Sequence, residues 1–236
     1  SAVVTGTTRA FNGIHCATAN NCWAVGDRVI GNWNGSNWTI QNGFIDLSSV
    51  ACEPANPNYC VAVGSVFGGF LSVVYRWNGA WAITDADFGR TYTDIACPGS
   101  TCYITTTSGA IYRYNLSLTP RLANDNSGTS VSMNGIDCTS STDCWAVGNR
   151  TGNNFNFNQR TSGGWTGITL QANSDREDLF AVSCADASNC KAVGTQKGSR
   201  YTVVGFNGTN WSVESFQDTS NRADLNGVHC IAANDC

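Results

Sequence analysis

A two-cysteine pattern that recurs along the chain constrains its fold more than any other feature. The fullest copy reads Asn-Gly-Ile-His-Cys from Asn12 to Cys16 and, after a short loop, Cys-Trp-Ala-Val-Gly from Cys22 to Gly26. The first cysteines of the copies lie at positions 16, 52, 97, 138, 184 and 230, so neighbouring copies are 36 to 46 residues apart. Periods near 40 residues are typical of propeller blades or helical solenoids. Short alternating apolar runs interrupted by Gly, Asn and Ser favour strands over helices.

The repeats therefore predict an all-β chain folded as a β-propeller, with four short strands in each blade. Five copies are full length, and the segment 226–236 supplies the start of another. We expect a six-bladed propeller whose last blade is completed by both termini, with a five-bladed propeller as the alternative. A piece cut from a longer array is a third possibility, because the sequence stops at Cys236 in mid-repeat. The predicted repeat units of this single domain, 1–236, are 11–47, 48–92, 93–133, 134–179, 180–225, and 226–236 together with 1–10.

The twelve cysteines fall into six local pairs, with four to seven residues between the partners. Zinc sites need four ligands that converge, and six evenly spread pairs cannot do so. An even number of regularly paired cysteines instead favours disulfides and an oxidising, extracellular compartment or cell surface. Each disulfide would close a small loop and contribute about 2 kcal/mol. The predicted pairs are Cys16–Cys22, Cys52–Cys60, Cys97–Cys102, Cys138–Cys144, Cys184–Cys190 and Cys230–Cys236.

Composition excludes several classes of partner. The net charge is −4 and only two lysines are present, which argues against a nucleic-acid partner. No apolar run approaches the roughly 18 to 20 residues that a membrane helix needs. No phosphate-binding loop, metalloprotease motif or serine nucleophile motif occurs, so we expect no cofactor and no catalytic residues. The absence of a starting Met is consistent with a processed or engineered N-terminus.

The full pattern resembles the repeats of secreted bacterial β-propellers. These repeats run Ser-Cys, a short loop, Cys-x-Ala-Val-Gly, and then a Trp-Asn-Gly-x-x-Trp hairpin; here the stretches Cys52 to Gly64 and Trp77 to Trp81 carry the resemblance best. The resemblance covers nearly the whole chain. It implies a secreted or cell-surface protein with a binding role.

Tryptophans beside the hairpin turns are the main candidates for ligand contact. Trp rings next to Asn and Ser are suited to stacking on sugars while the polar side chains bind hydroxyl groups. The competing interpretation is that these rings pack one blade against the next. The candidate ligand-binding residues are Trp33, Trp38, Trp77, Trp81, Trp165 and Trp211.

A slot directly before the first cysteine holds the two histidines, His15 and His229, and also Asp137. First strands line the channel of a propeller, so these side chains form a weak candidate for a metal site. The alternative is that the slot simply packs between blades. We otherwise expect no metal.

The sequence thus favours a non-catalytic, lectin-like or adhesin-like module that binds glycans. The alternative is a structural module that binds a surface protein, associates with itself or belongs to a larger extracellular polypeptide. A propeller-type glycoside hydrolase ranks third, because the arginines and carboxylates are scattered. Exposed Trp on several blades would support glycan binding, and large apolar loop patches would support assembly.

Overall fold

The computed structural model describes residues 7–66, 69–117, 122–125, 131–171, 178–197, 200–217 and 224–236. These residues form eighteen β-strands, and none of their helices is long and apolar enough to span a bilayer. The chain divides into two compact units. Unit 1 comprises Ser1–Thr106 and Arg113–Ala123, and unit 2 comprises Thr107–Tyr112 and Asn124–Cys236.

The first sheet has six strands in sequence order and lies within unit 1. All its neighbouring strands are antiparallel. Its strands are β1 (Phe11–Thr18), β2 (Asn21–Trp33), β3 (Trp38–Glu53), β4 (Asn56–Val66), β5 (Leu71–Trp77) and β6 (Trp81–Phe88).

The second sheet has four strands in the order β10-β9-β8-β7, and the boundary between the two units falls within it. Its strands are β7 (Tyr92–Ala96), β8 (Thr101–Thr106), β9 (Ile111–Asn115) and β10 (Leu122–Asn124).

The third and fourth sheets lie within unit 2, and each has four strands in sequence order. The third contains β11 (Met133–Ser140), β12 (Asp143–Thr151), β13 (Asn154–Thr161) and β14 (Gly164–Gln171). The fourth contains β15 (Leu179–Asp186), β16 (Asn189–Lys197), β17 (Arg200–Phe206) and β18 (Trp211–Gln217).

The described residues therefore form four sheets, and the predictions of six blades and of five blades are wrong. The first two repeats share one sheet because β3 crosses their boundary as a continuous strand of 16 residues. Its first half pairs with β2 and its second half with β4, with Asp46 opposite both Asp27 and Ser65.

The sixth repeat forms no strand within 224–236, where the only bridge joins Ala232 and Asp235. In the other repeats the first strand pairs with the stretch after the second cysteine. The predicted partner at residues 1–6 lies outside the described residues.

All six predicted disulfides are confirmed, and none of the twelve cysteines, all of which lie in the described part, is free. In four repeats the two cysteines are directly opposite each other on neighbouring strands, as Cys16 and Cys22 are. Residues in this position have side chains close enough to be bridged without backbone movement.

The glycine that ends Ala-Val-Gly is required by a close backbone approach. A Cβ on Gly148 would overlap the carbonyl oxygen of Ser132, at the start of β11. The same carbonyl accepts a hydrogen bond of 2.9 Å from the Asn149 N–H, which holds the two chain segments together. Gly26, Gly64 and Gly194 are enclosed by backbone atoms in the same way.

Aromatic side chains pack successive repeats against each other in each unit. In unit 1, Trp23 lies 4.6 Å from Trp77 and 5.1 Å from Trp81, measured between ring centroids. In unit 2, Trp145 lies 4.8 Å from Phe206 and 5.2 Å from Trp211. The tryptophan of one repeat is thereby buried against the outer strands of the next.

Candidate interaction rim on the first sheet

One end of the first sheet carries three exposed phenylalanines, which we call the aromatic rim: Phe44, Phe70 and Phe88. The pairing register places them at the same end. Asp46 on β3 faces Ser65, Ser65 faces Ser72, and Ser72 faces Asp87 on β6. Each rim residue lies one or two positions beyond this row. The exposed fractions of the rim side chains are 92% for Phe44, 69% for Phe70 and 67% for Phe88.

A bulge in β3 brings Phe44 to the surface. Asn42 pairs with Val29 and Asp46 pairs with Asp27, so the three residues 43–45 lie opposite Arg28 alone. Arg28 has a φ of 55°, and it is the one non-glycine residue of the described part with a positive φ. Such bulges bend a strand and redirect its side chains. Here Ile45 packs against the core cluster while Phe44 points outward.

Phe70 and Phe88 support each other at the tips of β5 and β6. Their ring centroids are 5.7 Å apart, with the planes inclined at 73°, an edge-to-face arrangement. Phe88 pairs with Leu71, the residue that follows Phe70. The two rings therefore form one apolar surface at this end of the sheet.

The charges near the rim are compensated locally. Arg28 forms an ion pair of 3.4 Å with Asp46, and Arg90 forms one with Asp87. Both pairs are partly exposed, so they contribute little to stability. Each pair joins one cation to one anion near the rim.

Strands β11 to β14 of the third sheet pair in the same order as β3 to β6 of the first sheet, but the third sheet has a polar end. Superimposing the registers places Asn153 at the position of Phe70 and Gln171 at the position of Phe88. Both polar residues are exposed. Since the order of the strands is shared, Phe70 and Phe88 are not needed to build a sheet of this kind.

The tryptophans predicted to bind a ligand are half-buried or buried, and none is fully exposed. Trp77, Trp81 and Trp211 pack against the neighbouring repeat. Trp33 and Trp38 lie 5.8 Å apart across their hairpin, and the Trp33 indole N–H donates to the Ala19 carbonyl.

Trp165 belongs to a polar cluster instead. Its indole N–H donates to the Asp125 carboxylate at 2.9 Å, and Arg160 contacts the same carboxylate at 2.6 Å. Contacts within the protein therefore occupy part of every candidate tryptophan ring. The prediction that these rings stack on sugars stays a prediction.

The slot before the first cysteine links successive repeats. The Asp137 carboxylate accepts the Cys184 N–H at 2.7 Å and the Cys138 N–H at 2.8 Å. Ser183, in the same slot of the next repeat, accepts the Cys230 N–H through its hydroxyl oxygen at 3.0 Å.

Burial raises the pKa of the Asp137 carboxyl. The N–H groups of Cys184 and Cys138, the Ser183 hydroxyl and the nearby His229 act to lower that pKa. His15 lies in unit 1, whereas Asp137 and His229 lie in unit 2. Among the described residues, no three His, Cys, Asp or Glu side chains are grouped so as to hold a metal ion. The observed contacts of Asp137 and Ser183 join one repeat to the next.

Sequence analysis missed the rim because its residues lie outside the repeated pattern. Phe44 lies within β3 and Phe88 is the last residue of β6, both several residues beyond the repeated tryptophans, and Phe70 follows Gly69 in a turn. The available signal was a difference between repeats: an aromatic residue stands at position 88 where the fourth repeat has Gln171.

No family model and no curated protein sequence matches the chain. Solved structures do resemble it. The β-propeller domain of Myceliophteria thermophila Cps50 (Swd1) has a TM-score of 0.67 at 9% identity, and the match covers 93% of this chain and 76% of that chain. The RRP9 WD40 repeats have a TM-score of 0.67 at 8% identity, with 89% and 63% covered.

A chain of the mitotic checkpoint complex is also similar, with a TM-score of 0.55 at 8% identity and 91% and 78% covered. At these identities the likeness concerns the fold and carries no function across. The chain has a β-propeller fold in which the four sheets are the blades.

Proposed function

We propose that the protein is a non-catalytic β-propeller that binds another protein through the aromatic rim. One observation carries this proposal: three phenylalanines are exposed at one end of one blade, and two of them stand where the third sheet has polar residues. Exposed apolar patches on a soluble protein mark interaction sites. Aromatic side chains are enriched at the centres of protein interfaces.

A protein partner fits the rim better than a sugar does. A sugar site needs polar side chains that bind hydroxyl groups beside a stacking ring. Near the rim, Arg28 already binds Asp46 and Arg90 already binds Asp87. The candidate tryptophans lie elsewhere and are partly covered.

The proposed site of action is an oxidising compartment outside the cytoplasm. Six disulfides are consistent with such a compartment. The resemblance of the repeats to those of secreted bacterial propellers supports the same proposal. The solved structures bear on the protein-binding role and not on the compartment: a chain of a checkpoint complex and a set of WD40 repeats share the fold.

The test is a selection from a library of random peptides displayed on phage, with a glycan array run in parallel. The targets are the wild-type chain and the triple variant F44S/F70S/F88S. The matched control is V213S/I231S, which removes two exposed apolar side chains of unit 2. We expect peptides that bind the wild type and the control but bind the rim variant at least tenfold more weakly.

Two results would contradict the proposal. The first is a set of peptides that bind all three proteins equally, which would move the interface away from the rim. The second is a glycan signal that survives in F44S/F70S/F88S and is lost in W38A, which would establish a sugar site at the Trp33–Trp38 hairpin.

A further inference from the structure

The outer edge of the first sheet is formed by β6, and within the described residues no strand pairs with that edge. An edge strand presents a row of backbone N–H and C=O groups that another chain can pair with. Proteins use charged residues, prolines and bulges to discourage such pairing. The third sheet ends in the equivalent edge strand, β14, which allows a direct comparison.

The exposed side chains of the two edge strands differ in polarity. On β6 they are all apolar: Ala82, Ile83, Ala86 and Phe88. The register places Thr166, Gly167, Thr169 and Gln171 at the same positions on β14. Three of these four residues have polar side chains, and the fourth, Gly167, has no side chain.

A bulge limits where a second strand could pair with β6. Val74 pairs with Asp85 and Tyr75 pairs with Ile83, so Thr84 is an extra residue. From residue 85 to residue 88 the strand is regular, a span of about 13 Å. This regular half ends at Phe88, whose ring contacts Phe70.

We infer that β6 binds an extended, uncharged apolar peptide segment of a partner protein by strand addition, with the partner's side chains on Ala86, Phe88 and Phe70. This inference rests on the proposed function and names its partner class. A strand edge pairs with a peptide backbone, which sugars and lipids lack. The exposed side chains of β6 call for apolar partners on one face, while Asp85 and Asp87 lie half-buried on the strand and Asp87 forms an ion pair with Arg90.

Alternation is the property that distinguishes strand addition from simple contact with the phenylalanines. In a paired strand, successive amides point alternately toward the sheet and away from it. We would therefore synthesise the rim-dependent peptides of the phage selection in two forms, N-methylated at odd or at even amides. One form should bind at least tenfold more weakly than the parent peptide, and the other should bind within about twofold of it.

Two further measurements use the protein itself. Hydrogen exchange on the full chain should show that residues 85–88 become protected when the parent peptide binds, while β14 is unchanged. The variant A86K places a charge on the edge and should weaken binding at least tenfold, whereas T169K, at the equivalent position of β14, should bind normally. The N-methylated peptides leave the protein unaltered, so this test stands even if A86K fails to fold.

The outcomes separate the two proposals. Rim-dependent peptides that show no alternation and no protection of β6 would overturn strand addition and leave the rim as the interface. A selection that returns no rim-dependent peptide would overturn both. Alternation together with protection of β6 would establish strand addition.

Discussion

The first and third sheets are built on one frame and end in different surfaces. Both have the disulfide-clipped hairpin, the close approach at the Ala-Val-Gly glycine, and a tryptophan packed against the next repeat. The first sheet then ends in Phe70 and Phe88, and the third ends in Asn153 and Gln171. The comparison teaches that the repeated residues maintain the frame, while the residues between them carry what is particular to each blade.

The largest expected effect concerns a feature that the two sheets share. W23A and W145A each remove a buried indole that packs against the next repeat, with 4% and 2% of the residue exposed. Each should lower the free energy of unfolding by about 4 kcal/mol, measured by denaturant titration. The control W33F alters a half-exposed ring and should cost less than about 1 kcal/mol. A large loss for one tryptophan and none for the other would show that the frames differ.

The next effect concerns the glycine at the close backbone approach. G64A and G148A should each destabilise the chain by about 2 to 3 kcal/mol, because the new methyl group would overlap a backbone carbonyl on the neighbouring strand. Gly163 lies in an open turn, where an added Cβ would be 3.6 Å from the Thr161 Oγ1, so G163A should change stability by less than about 0.5 kcal/mol. If G64A, G148A and G163A had the same melting temperature, the close backbone approach would not explain the glycine of the Ala-Val-Gly motif.

A smaller effect is expected on peptide affinity, and it distinguishes the end of the first sheet from the end of the third. F88Q gives the first sheet the residue of the third, and Q171F does the reverse. Both positions are exposed, so thermal stability should change by less than about 0.5 kcal/mol. Affinity for the rim-dependent peptides should fall about tenfold, or about 1.4 kcal/mol, in F88Q and stay unchanged in Q171F, as measured by isothermal titration calorimetry. An unchanged affinity in F88Q would exclude Phe88 from the interface.

The smallest effect is a dependence of stability on pH within unit 2. Burial raises the pKa of Asp137 in the folded state, so protonation favours folding there. The free energy of unfolding should therefore gain a contribution as the pH falls through that raised pKa, and D137N should lack it.

Asp186 provides the opposite sign. The Ser188 N–H and the Asn189 side chain lower the pKa of its exposed carboxyl, so its contribution is present above the ordinary pKa and is lost on further acidification. Denaturant titrations of wild type, D137N and D186N across acidic pH would measure both contributions. If the free energy of unfolding of D137N depended on pH in the same way as that of the wild type, Asp137 would not be the source of this contribution.

The sequence was sufficient for features that depend on local spacing. Paired cysteines that lie opposite each other in a hairpin predicted all six disulfides, and alternating apolar residues predicted strands. The positive φ of Gly35, at 91°, fits the turn of the Trp-Asn-Gly-x-x-Trp hairpin pattern, which also occurs from Trp33 to Trp38. Asn34 contributes differently, since its side-chain oxygen accepts the N–H groups of Ser36 and Asn37.

The number of blades and the rim could not be obtained in this way. Whether β3 continues across a repeat boundary depends on the pairing of Asp46 with partners on both sides, which the repeat period does not contain. The exposure of Phe44 depends on a bulge opposite Arg28, and no pattern of residues around either position marks it. The tryptophans were predicted to contact a ligand because they recur in the repeats. Their recurrence reflects packing of one repeat against the next.

The most direct test of the rim is ¹⁹F NMR of the chain with all ten phenylalanines fluorinated and assigned by substitution. On titration with a rim-dependent peptide, the resonances of Phe44, Phe70 and Phe88 should shift or broaden, while those of the buried Phe155 and Phe157 should stay in place. Unchanged rim resonances in the presence of saturating peptide would contradict the account.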